Sequence, residues 1–342
     1  MARCEVCFRH CEIKEGQAGF CKARICKDGR VVPANYGWHT AIHIDPIEKK
    51  PIARFYPGSK VLSVGSYGCN LRCPFCQNHE ISWDDIAMEV AAAVAGRLTG
   101  EVSMENEKEP SIPELRGYAS STMQEDLPHQ KLHSYTPPIN PDDPPHPELY
   151  SYVPPELLVE SAIRDRWMGV IGIAYTYNEP LIGYEYVLDT ARLAHAKGLK
   201  NVLVTNGTAE TSVLEKLLPY IDAMNVDLKG FTDRYYEKVL GGNREMVMNF
   251  IERAVKDTHV ELTTLIIPGE NDTEGEMQEL TAWVSNLRDR HGKLIGRQVP
   301  LHISRFFPRF HMTDRPATEV RKVYRLAEVA RQKLEYVYTG NC

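Results

Sequence analysis

The sequence predicts an α/β fold in which six strand–helix repeats form a partial parallel barrel or a strongly curved parallel sheet. From residue 154 onward, short apolar runs rich in Val, Ile and Thr alternate with segments of helical period, a pattern typical of parallel βαβ units. Several runs end in turn residues, such as Asn206-Gly207 and Pro268-Gly269. The length of 342 residues fits one barrel with additions.

Each repeat is placed by its apolar run and by the helical segment that follows. Strands are expected near 61–68, 171–177, 201–206, 223–229, 260–267 and 299–306. Helices are expected near 180–196, 210–219, 243–256, 273–290 and 316–332. Because such folds bind ligands outside the carboxyl ends of their strands, the polar residues that follow the strands are the first candidates for a site.

Two segments depart from the repeats. Residues 1–50 are rich in cysteine and are expected to bind metal, which leaves 51–342 for the barrel. Residues 97–153 carry several prolines, including Pro137-Pro138 and Pro144-Pro145, and show no sustained periodicity. We therefore expect an insertion there, and composition leaves open whether it is disordered, wraps the surface or forms a lid.

The composition excludes several classes of protein. Hydrophobic content of 43% and charged content of 25% are ordinary for a globular chain, and no apolar run approaches the roughly 18 residues of a membrane span. The first residues contain no apolar stretch typical of an export signal, so a cytoplasmic protein is expected. The net charge is −6 and the basic residues are scattered, which argues against a dedicated nucleic-acid surface.

The chemistry-bearing signal is the loop of three cysteines, Cys69-x3-Cys73-x2-Cys76, directly after an apolar strand. Thiolates are the ligands of iron–sulfur clusters, and three of them leave one iron of a [4Fe-4S] cube open. S-adenosylmethionine (SAM) can chelate that iron, and one electron then splits it into methionine and a 5′-deoxyadenosyl radical. The alternative is a zinc loop with a distant fourth ligand, against which the x3 spacing and Phe75 argue.

The loop resembles that of radical SAM enzymes of the pyruvate formate-lyase activating enzyme type, and the chain as a whole most resembles the radical SAM member of the AmmeMemoRadiSam system. The matching segments cover almost everything outside the insertion. They are Asp45-Pro46-Ile47-Glu48-Lys49-Lys50-Pro51, Phe55-Tyr56-Pro57-Gly58, 68–78, 175–180, 205–207, 227–229, 268–272, 301–306 and 338–341. The resemblance implies a radical SAM barrel, a [4Fe-4S] cluster and SAM.

Residues at two strand ends are expected to hold the methionine end of SAM. Asn178 and Glu179 stand where activating enzymes carry a Gly-Gly-Glu segment that receives the SAM amino group, so the resemblance assigns this contact to them. A helix N-terminal turn, with Pro180 at its first position, explains the same residues structurally. Thr205 and Asn206 close the next strand, although a turn at Asn206-Gly207 is the simpler interpretation.

The fourth strand and the last one add further candidates. The resemblance places Lys229 near the SAM carboxylate and Asp227 in its surroundings. Activating enzymes usually carry an Asp where this chain has Val204, so the resemblance does not extend to a cation site built on that Asp. His302 and Ser304 alternate to one face of the last strand and could bond ribose or substrate, or His302 could be a hydrogen-bonded core histidine.

The front of the chain carries a second set of four cysteines, Cys4, Cys7, Cys11 and Cys21. Four thiolates would satisfy tetrahedral Zn²⁺, which commonly folds short segments. A second iron–sulfur cluster is the alternative, and Cys26 could replace one ligand. The last cysteine, Cys342, is expected to be a free surface thiol.

Three functions are compatible with these residues. The preferred one is a radical SAM enzyme that abstracts hydrogen from a small molecule or a macromolecule, together with Memo-type and AMMECR-type partner proteins. The second is an activating enzyme whose substrate is a glycyl-radical protein. In both, the resemblance implies an electron donor such as flavodoxin or ferredoxin. The third is a non-catalytic iron–sulfur electron-transfer protein.

Overall fold

In the computed structural model, an eight-stranded sheet forms the centre of the protein. The structure describes residues 1–83 and 151–342, so most of the insertion expected at 97–153 lies outside the described residues. The strands are β1 (Ala41–Pro46), β2 (Lys60–Gly65), β3 (Val170–Tyr175), β4 (Lys200–Thr205), β5 (Ala223–Asp227), β6 (His259–Ile266), β7 (Leu301–Arg305) and β8 (Val337–Gly340). They neighbour one another in chain order, and β2 to β8 are parallel while β1 pairs antiparallel with β2.

The helices follow the strands as βαβ connections require. They are α1 (His79–Ser82), α2 (Pro155–Arg164), α3 (Tyr184–Ala196), α4 (Thr211–Leu217), α5 (Arg244–Ala254), α6 (Glu274–Ser285) and α7 (Val320–Arg331). Short 3₁₀ turns lie at Ile47–Lys49, Asp165–Met168, Pro180–Gly183 and Gly296–Gln298, and a π-helix at Tyr235–Leu240. None of the described helices has the length and apolar character needed to cross a membrane.

The predicted α/β fold is confirmed, and all six predicted strands and all five predicted helices are present, the helices shorter and the strands shifted or shortened by a few residues. The sequence analysis missed β1, β8, α1 and α2. The strand β1 alternates polar residues such as His43 and Asp45 with apolar ones, and only its pairing with β2 makes it a strand. It also lies within residues 1–50, so the central sheet begins inside the segment that the sequence analysis treats as the cysteine-rich front.

The core lies between the sheet and the helices that cover it. In β4, Val202 and Leu203 point to opposite faces and are both fully buried, as expected for a parallel strand covered on both sides. In α7, Val323, Leu326 and Ala330 recur at helical spacing and are buried against the sheet. This packing holds the carboxyl ends of the strands in a fixed arrangement.

The amino-terminal ends of the strands are closed by the segment between β1 and β2. The buried carboxylate of Glu261, near the start of β6, accepts hydrogen bonds from the backbone N–H groups of Ala53 and Arg54 at 2.9 and 2.7 Å. Nearby, Asn225 donates to the carbonyl of Pro51 at 2.7 Å. The open end of the sheet is therefore the opposite one, where the three-cysteine loop lies.

The cysteine-rich front packs onto that open end. It contains a short pair, Ala2–Arg3 with Glu12–Ile13, and a hairpin, Arg24–Lys27 with Arg30–Pro33. The carbonyl of Val6 accepts a hydrogen bond from the backbone of Glu210 at 2.9 Å, in the turn that leads into α4. A third pair joins Trp38–His39 to Ser151–Tyr152. The front segment is thus part of the wall around the strand ends.

Candidate cofactor-binding site

The three-cysteine loop, defined as residues 69–76, leaves β2 through a glycine that the geometry requires. Gly68 has φ of +90°, and a Cβ on it would lie 2.5 Å from the carbonyl oxygen of Cys21. Beyond it, the backbone N–H of Leu71 donates to Sγ of Cys69 at 3.4 Å, and the N–H of Cys76 donates to the carbonyl of Cys73 at 3.1 Å. The loop is therefore a tight turn that holds three thiols at the end of the sheet.

The three thiols of this loop lie close together, with Cys73 buried and Cys69 and Cys76 half-buried. Burial, the nearby Glu179 and the other two thiols hold the pKa of Cys69 well above its ordinary value. Burial raises the pKa of Cys73 to about 11, although Lys229 acts in the opposite direction. Three soft donors that interact with one another, with a cation beside them, are a suitable ligand set for an iron–sulfur cube. The residues present therefore fit that group.

Glu179 lies fully buried beside Cys69. Its carboxylate accepts hydrogen bonds from the hydroxyl of Thr205 at 2.6 Å, from the N–H of Asn206 at 2.7 Å and from the N–H of Leu181 at 3.0 Å. Burial nevertheless raises the pKa of Glu179 to about 7. All three donors are neutral. A positive group that bound beside Glu179 would therefore stabilise the charged form of its carboxylate.

The two asparagines of the expected site hold the three-cysteine loop. The side chain of Asn178 accepts from the N–H of Ser66 at 3.0 Å and donates to the carbonyls of Tyr67 and Gly68, both at 3.1 Å. Asn206 donates to Oδ1 of Asn70 at 2.8 Å and lies 3.8 Å from Sγ of Cys69. Both side chains therefore position the loop, and Asn206 also provides an N–H to a thiol.

Asp227 and Lys229 form an ion pair on the other side of the loop. Nζ of Lys229 lies 2.8 Å from Oδ2 of Asp227. Burial would lower the pKa of Lys229, but Asp227 and Cys73 hold it well above its ordinary value. The backbone N–H of Lys229 donates to the hydroxyl of Tyr236 at 3.0 Å. The lysine is thus a fixed cation near the cysteines.

His302 and Ser304 are placed differently. Nε2 of His302 lies 2.6 Å from the buried carboxylate of Glu261, and its ring stacks on that of Tyr338. Burial would raise the pKa of Glu261, yet hydrogen bonds from His259, His302 and the backbone hold it at about 2. His302 therefore makes the contacts of a hydrogen-bonded core histidine, the alternative that the sequence left open. Ser304 pairs in register with Gly340 of β8.

The structure thus brings six of the eight expected cofactor-binding residues to the loop, and it adds others that the sequence analysis missed. Asn70 lies between the loop and Asn206, and its side chain donates to the carbonyl of Thr208 at 2.8 Å.

The π-helix packs behind the loop, where the carbonyl of Leu240 accepts from the N–H of Arg72 at 3.0 Å. The hydroxyl of Tyr235 in this π-helix is buried without a partner among the described residues. No local pattern in the sequence marks this π-helix, although π-helices frequently occur at functional sites.

The front cysteines form a second group. Burial, together with the neighbouring thiols of Cys7 and Cys4, raises the pKa of Cys21 to about 12. Cys4, Cys7, Cys11 and Cys21 line one common cavity. Within the described ranges, no three or more His, Cys, Asp or Glu side chains are arranged to hold a metal ion, so the zinc expectation gains no support. Cys342 is exposed, as expected.

Comparison with known proteins identifies related chains. The sequence profile of the Radical SAM superfamily matches residues 63–281. An uncharacterized protein of Methanocaldococcus jannaschii is 35% identical over 341 residues, which are 99% of this chain and 81% of that protein. The pyruvate formate-lyase 1-activating enzyme of Escherichia coli strain K12 is 25% identical over 112 residues, or 32% of this chain and 46% of that enzyme.

A solved structure is also similar. It is a domain of the pyruvate-formate lyase-activating enzyme from Bacteroides vulgatus ATCC 8482, with a TM-score of 0.42 and 15% sequence identity. The similarity covers 50% of this chain and 99% of that domain. The narrower resemblance to the AmmeMemoRadiSam member is not addressed by these matches and stays a prediction.

Proposed function

The chain belongs to the radical SAM superfamily, an enzyme class that cleaves SAM at a [4Fe-4S] cluster, and we propose that Cys69, Cys73 and Cys76 hold this cluster while Glu179 and Lys229 bind SAM. When bound, the cluster supplies the electron that splits SAM into methionine and a 5′-deoxyadenosyl radical. The proposed activity of this protein is hydrogen abstraction from a substrate by that radical.

One observation carries the proposal for SAM. A buried carboxylate, Glu179, and a fixed ammonium group, Lys229, both lie beside the three-cysteine loop and interact with its thiols. The methionine end of SAM carries an ammonium group and a carboxylate, which are the complementary charges. Charge-assisted hydrogen bonds in a buried site are stronger than neutral ones, so this pair can orient the zwitterion over the loop.

The remaining residues hold those two charges in place. Thr205 and the backbone of Asn206 fix the Glu179 carboxylate, and Asp227 fixes the Lys229 ammonium group. Asn178 anchors the backbone before Cys69. Asn178 and Glu179 have their partners on other strand ends, whereas Lys229 and Asp227 share one strand end, so the sheet and this ion pair together preorganise the site.

The test is anaerobic reconstitution with iron and sulfide, followed by reduction in the presence of SAM and measurement of 5′-deoxyadenosine. We expect formation of 5′-deoxyadenosine by the wild-type protein and none by Cys73→Ala, with Cys342→Ala as the matched control that keeps activity. A fully loaded cluster without SAM cleavage would overturn the proposal and leave the electron-transfer alternative.

For the substrate, we propose a small molecule or a macromolecule handled with Memo-type and AMMECR-type partners, with electrons from a flavodoxin or ferredoxin. The similarity to activating enzymes supports a glycyl-radical protein as the second candidate, but the match to the Escherichia coli enzyme covers only 32% of this chain. The two candidates differ in an observable: a glycyl radical on a co-purifying protein, detected by EPR after turnover, would favour the second.

A further inference from the structure

The four front cysteines enclose a space directly beside the three-cysteine loop. Cys4, Cys7, Cys11 and Cys21 line one cavity, and the side chains of Arg9, Arg24 and Asn70 line it with them. Asn70 is the residue that follows Cys69, so the same cavity reaches the loop of the proposed SAM site. The front cysteines are therefore neighbours of that site in space, although they precede it by some fifty residues in sequence.

Direct contacts join the segment of the front cysteines to the three-cysteine loop. Nε of Arg9 donates to the carbonyl of Asn70 at 2.7 Å. Nη2 of Arg9 donates to the carbonyl of Gly241 at 2.6 Å, and the side chain lines the cavity of the front cysteines, so this cation lies between the two cysteine sets. The carbonyl of Cys21 lies against Gly68.

The cavity is also built for an anionic group. Arg24 is 4% exposed, and its two terminal nitrogens are bonded to Glu185 at 2.9 and 2.8 Å and to the carbonyl of Ile182. Its Nε is buried and has no hydrogen-bond partner among the described residues. A buried N–H without an acceptor is destabilising, and a sulfur acceptor in the cavity would satisfy it.

Among the described residues, the front thiols are not gathered around one point, as a single ion would require. Around zinc, four sulfurs each lie about 2.3 Å from the metal. Here the four cysteines line a cavity that other side chains also line. In the part of the chain that the structure describes, neither this set nor the three-cysteine loop has the arrangement of a site for one ion. The front set therefore resembles the loop rather than a zinc site.

We propose that Cys4, Cys7, Cys11 and Cys21 bind a second [4Fe-4S] cluster, so that the protein carries two redox centres separated by Arg9 and Asn70. Four thiolates complete the coordination of all four irons, so this cluster would have no open position for SAM. Arg9 and Arg24 would balance its negative charge. Cys26 is not part of the ligand set, because its Sγ donates to Glu15 at 3.3 Å and does not line the cavity.

The decisive experiment removes the cysteines of the loop and keeps the four front cysteines. The variant Cys69→Ala/Cys73→Ala/Cys76→Ala is reconstituted anaerobically with iron, sulfide and an equal concentration of zinc. We expect about four irons and four sulfides per chain, no zinc, and an EPR signal of a reduced [4Fe-4S] cluster. One zinc per chain without iron, or no bound metal, would overturn the inference. This readout does not depend on SAM cleavage, so it stands whether or not the proposed function holds.

The complementary variant, Cys7→Ala/Cys11→Ala, should lose about half of the roughly eight irons of the wild-type protein. The matched control is Cys26→Ala, which removes a buried cysteine of the same segment. This control should keep the iron content of the wild-type protein. Circular dichroism checks that both variants fold. An iron content equal to that of the wild type in a folded Cys7→Ala/Cys11→Ala variant would also overturn the inference.

Discussion

Asn206 directs its side-chain N–H group toward Sγ of Cys69, with 3.8 Å between the two atoms. The same nitrogen donates to Asn70 at 2.8 Å, so its position is set by a second partner in the loop. A strand end that the sequence analysis assigned to SAM binding, with a turn as the alternative, therefore contacts the first cysteine of the cluster loop. Hydrogen bonds to cluster sulfurs are one of the factors that set the reduction potential.

Replacing Asn206 should lower the reduction potential of the loop cluster. An N–H group near a thiolate stabilises the more negative, reduced state, so Asn206→Ala should shift the midpoint potential downward by on the order of tens of millivolts. A potentiometric EPR titration measures this shift. Asn249→Ala, an exposed asparagine in α5, is the control and should show none. An unchanged potential in Asn206→Ala would show that this N–H group does not influence the cluster.

Loss of either charged residue at the proposed SAM site should weaken SAM binding and leave the cluster intact. A charge-assisted hydrogen bond contributes about 1.5–3 kcal/mol, so Glu179→Gln and Lys229→Met should each raise the Kd for SAM by roughly 10- to 150-fold. Equilibrium binding to the reconstituted proteins measures this, with iron content as the check. Glu237→Gln and Lys197→Met are exposed controls. Wild-type affinity in both site variants would exclude these residues.

Gly68→Ala should prevent the loop from closing. The new Cβ would lie 2.5 Å from the carbonyl oxygen of Cys21, and φ of +90° is strained for alanine. We expect a loss of several kcal/mol in stability and a lower iron content after reconstitution. Gly275→Ala in α6 is the matched control, since its Cβ would meet no atom within 4 Å. Equal melting temperatures and iron contents for the two variants would contradict this explanation of Gly68.

The ion pair inside the barrel should make stability depend on pH in the acidic range. Burial would raise the pKa of Asp45, but hydrogen bonds from Lys50 and Tyr177 lower it to about 2, below the ordinary 3.8. The stabilisation is therefore complete above about pH 4 and is lost as the pH falls toward 2. Asp45→Asn should cost about 2 kcal/mol at pH 6 and about 1 kcal/mol at pH 3.

Denaturant unfolding of the wild type and Asp45→Asn at the two pH values measures this difference. Asp233→Asn, an exposed aspartate, serves as the control and should cost little at either pH. A cost for Asp45→Asn that is independent of pH would show that its carboxylate does not carry the interaction.

The sequence by itself determined the class of fold and the chemistry of the loop. Alternating apolar runs and helical segments specify parallel βαβ units because strand and helix periods differ, and C-x3-C-x2-C specifies three thiolates within one turn. Both signals are local. Glu179 and Lys229 could also be named from the sequence, because the resemblance to activating enzymes assigns them to SAM and both follow predicted strands.

Only the tertiary structure decided which distant groups meet. The contact of the front cysteines with Asn70, the hydrogen bond between His302 and Glu261, and the hydrogen bond from Tyr177 to Asp45 join residues that share no local pattern. Strand alternation places His302 on a face but does not say how deep in the barrel it lies, since depth depends on the register between strands. Register, packing of the front segment and burial are properties of the whole chain, and they set the partner of each polar group.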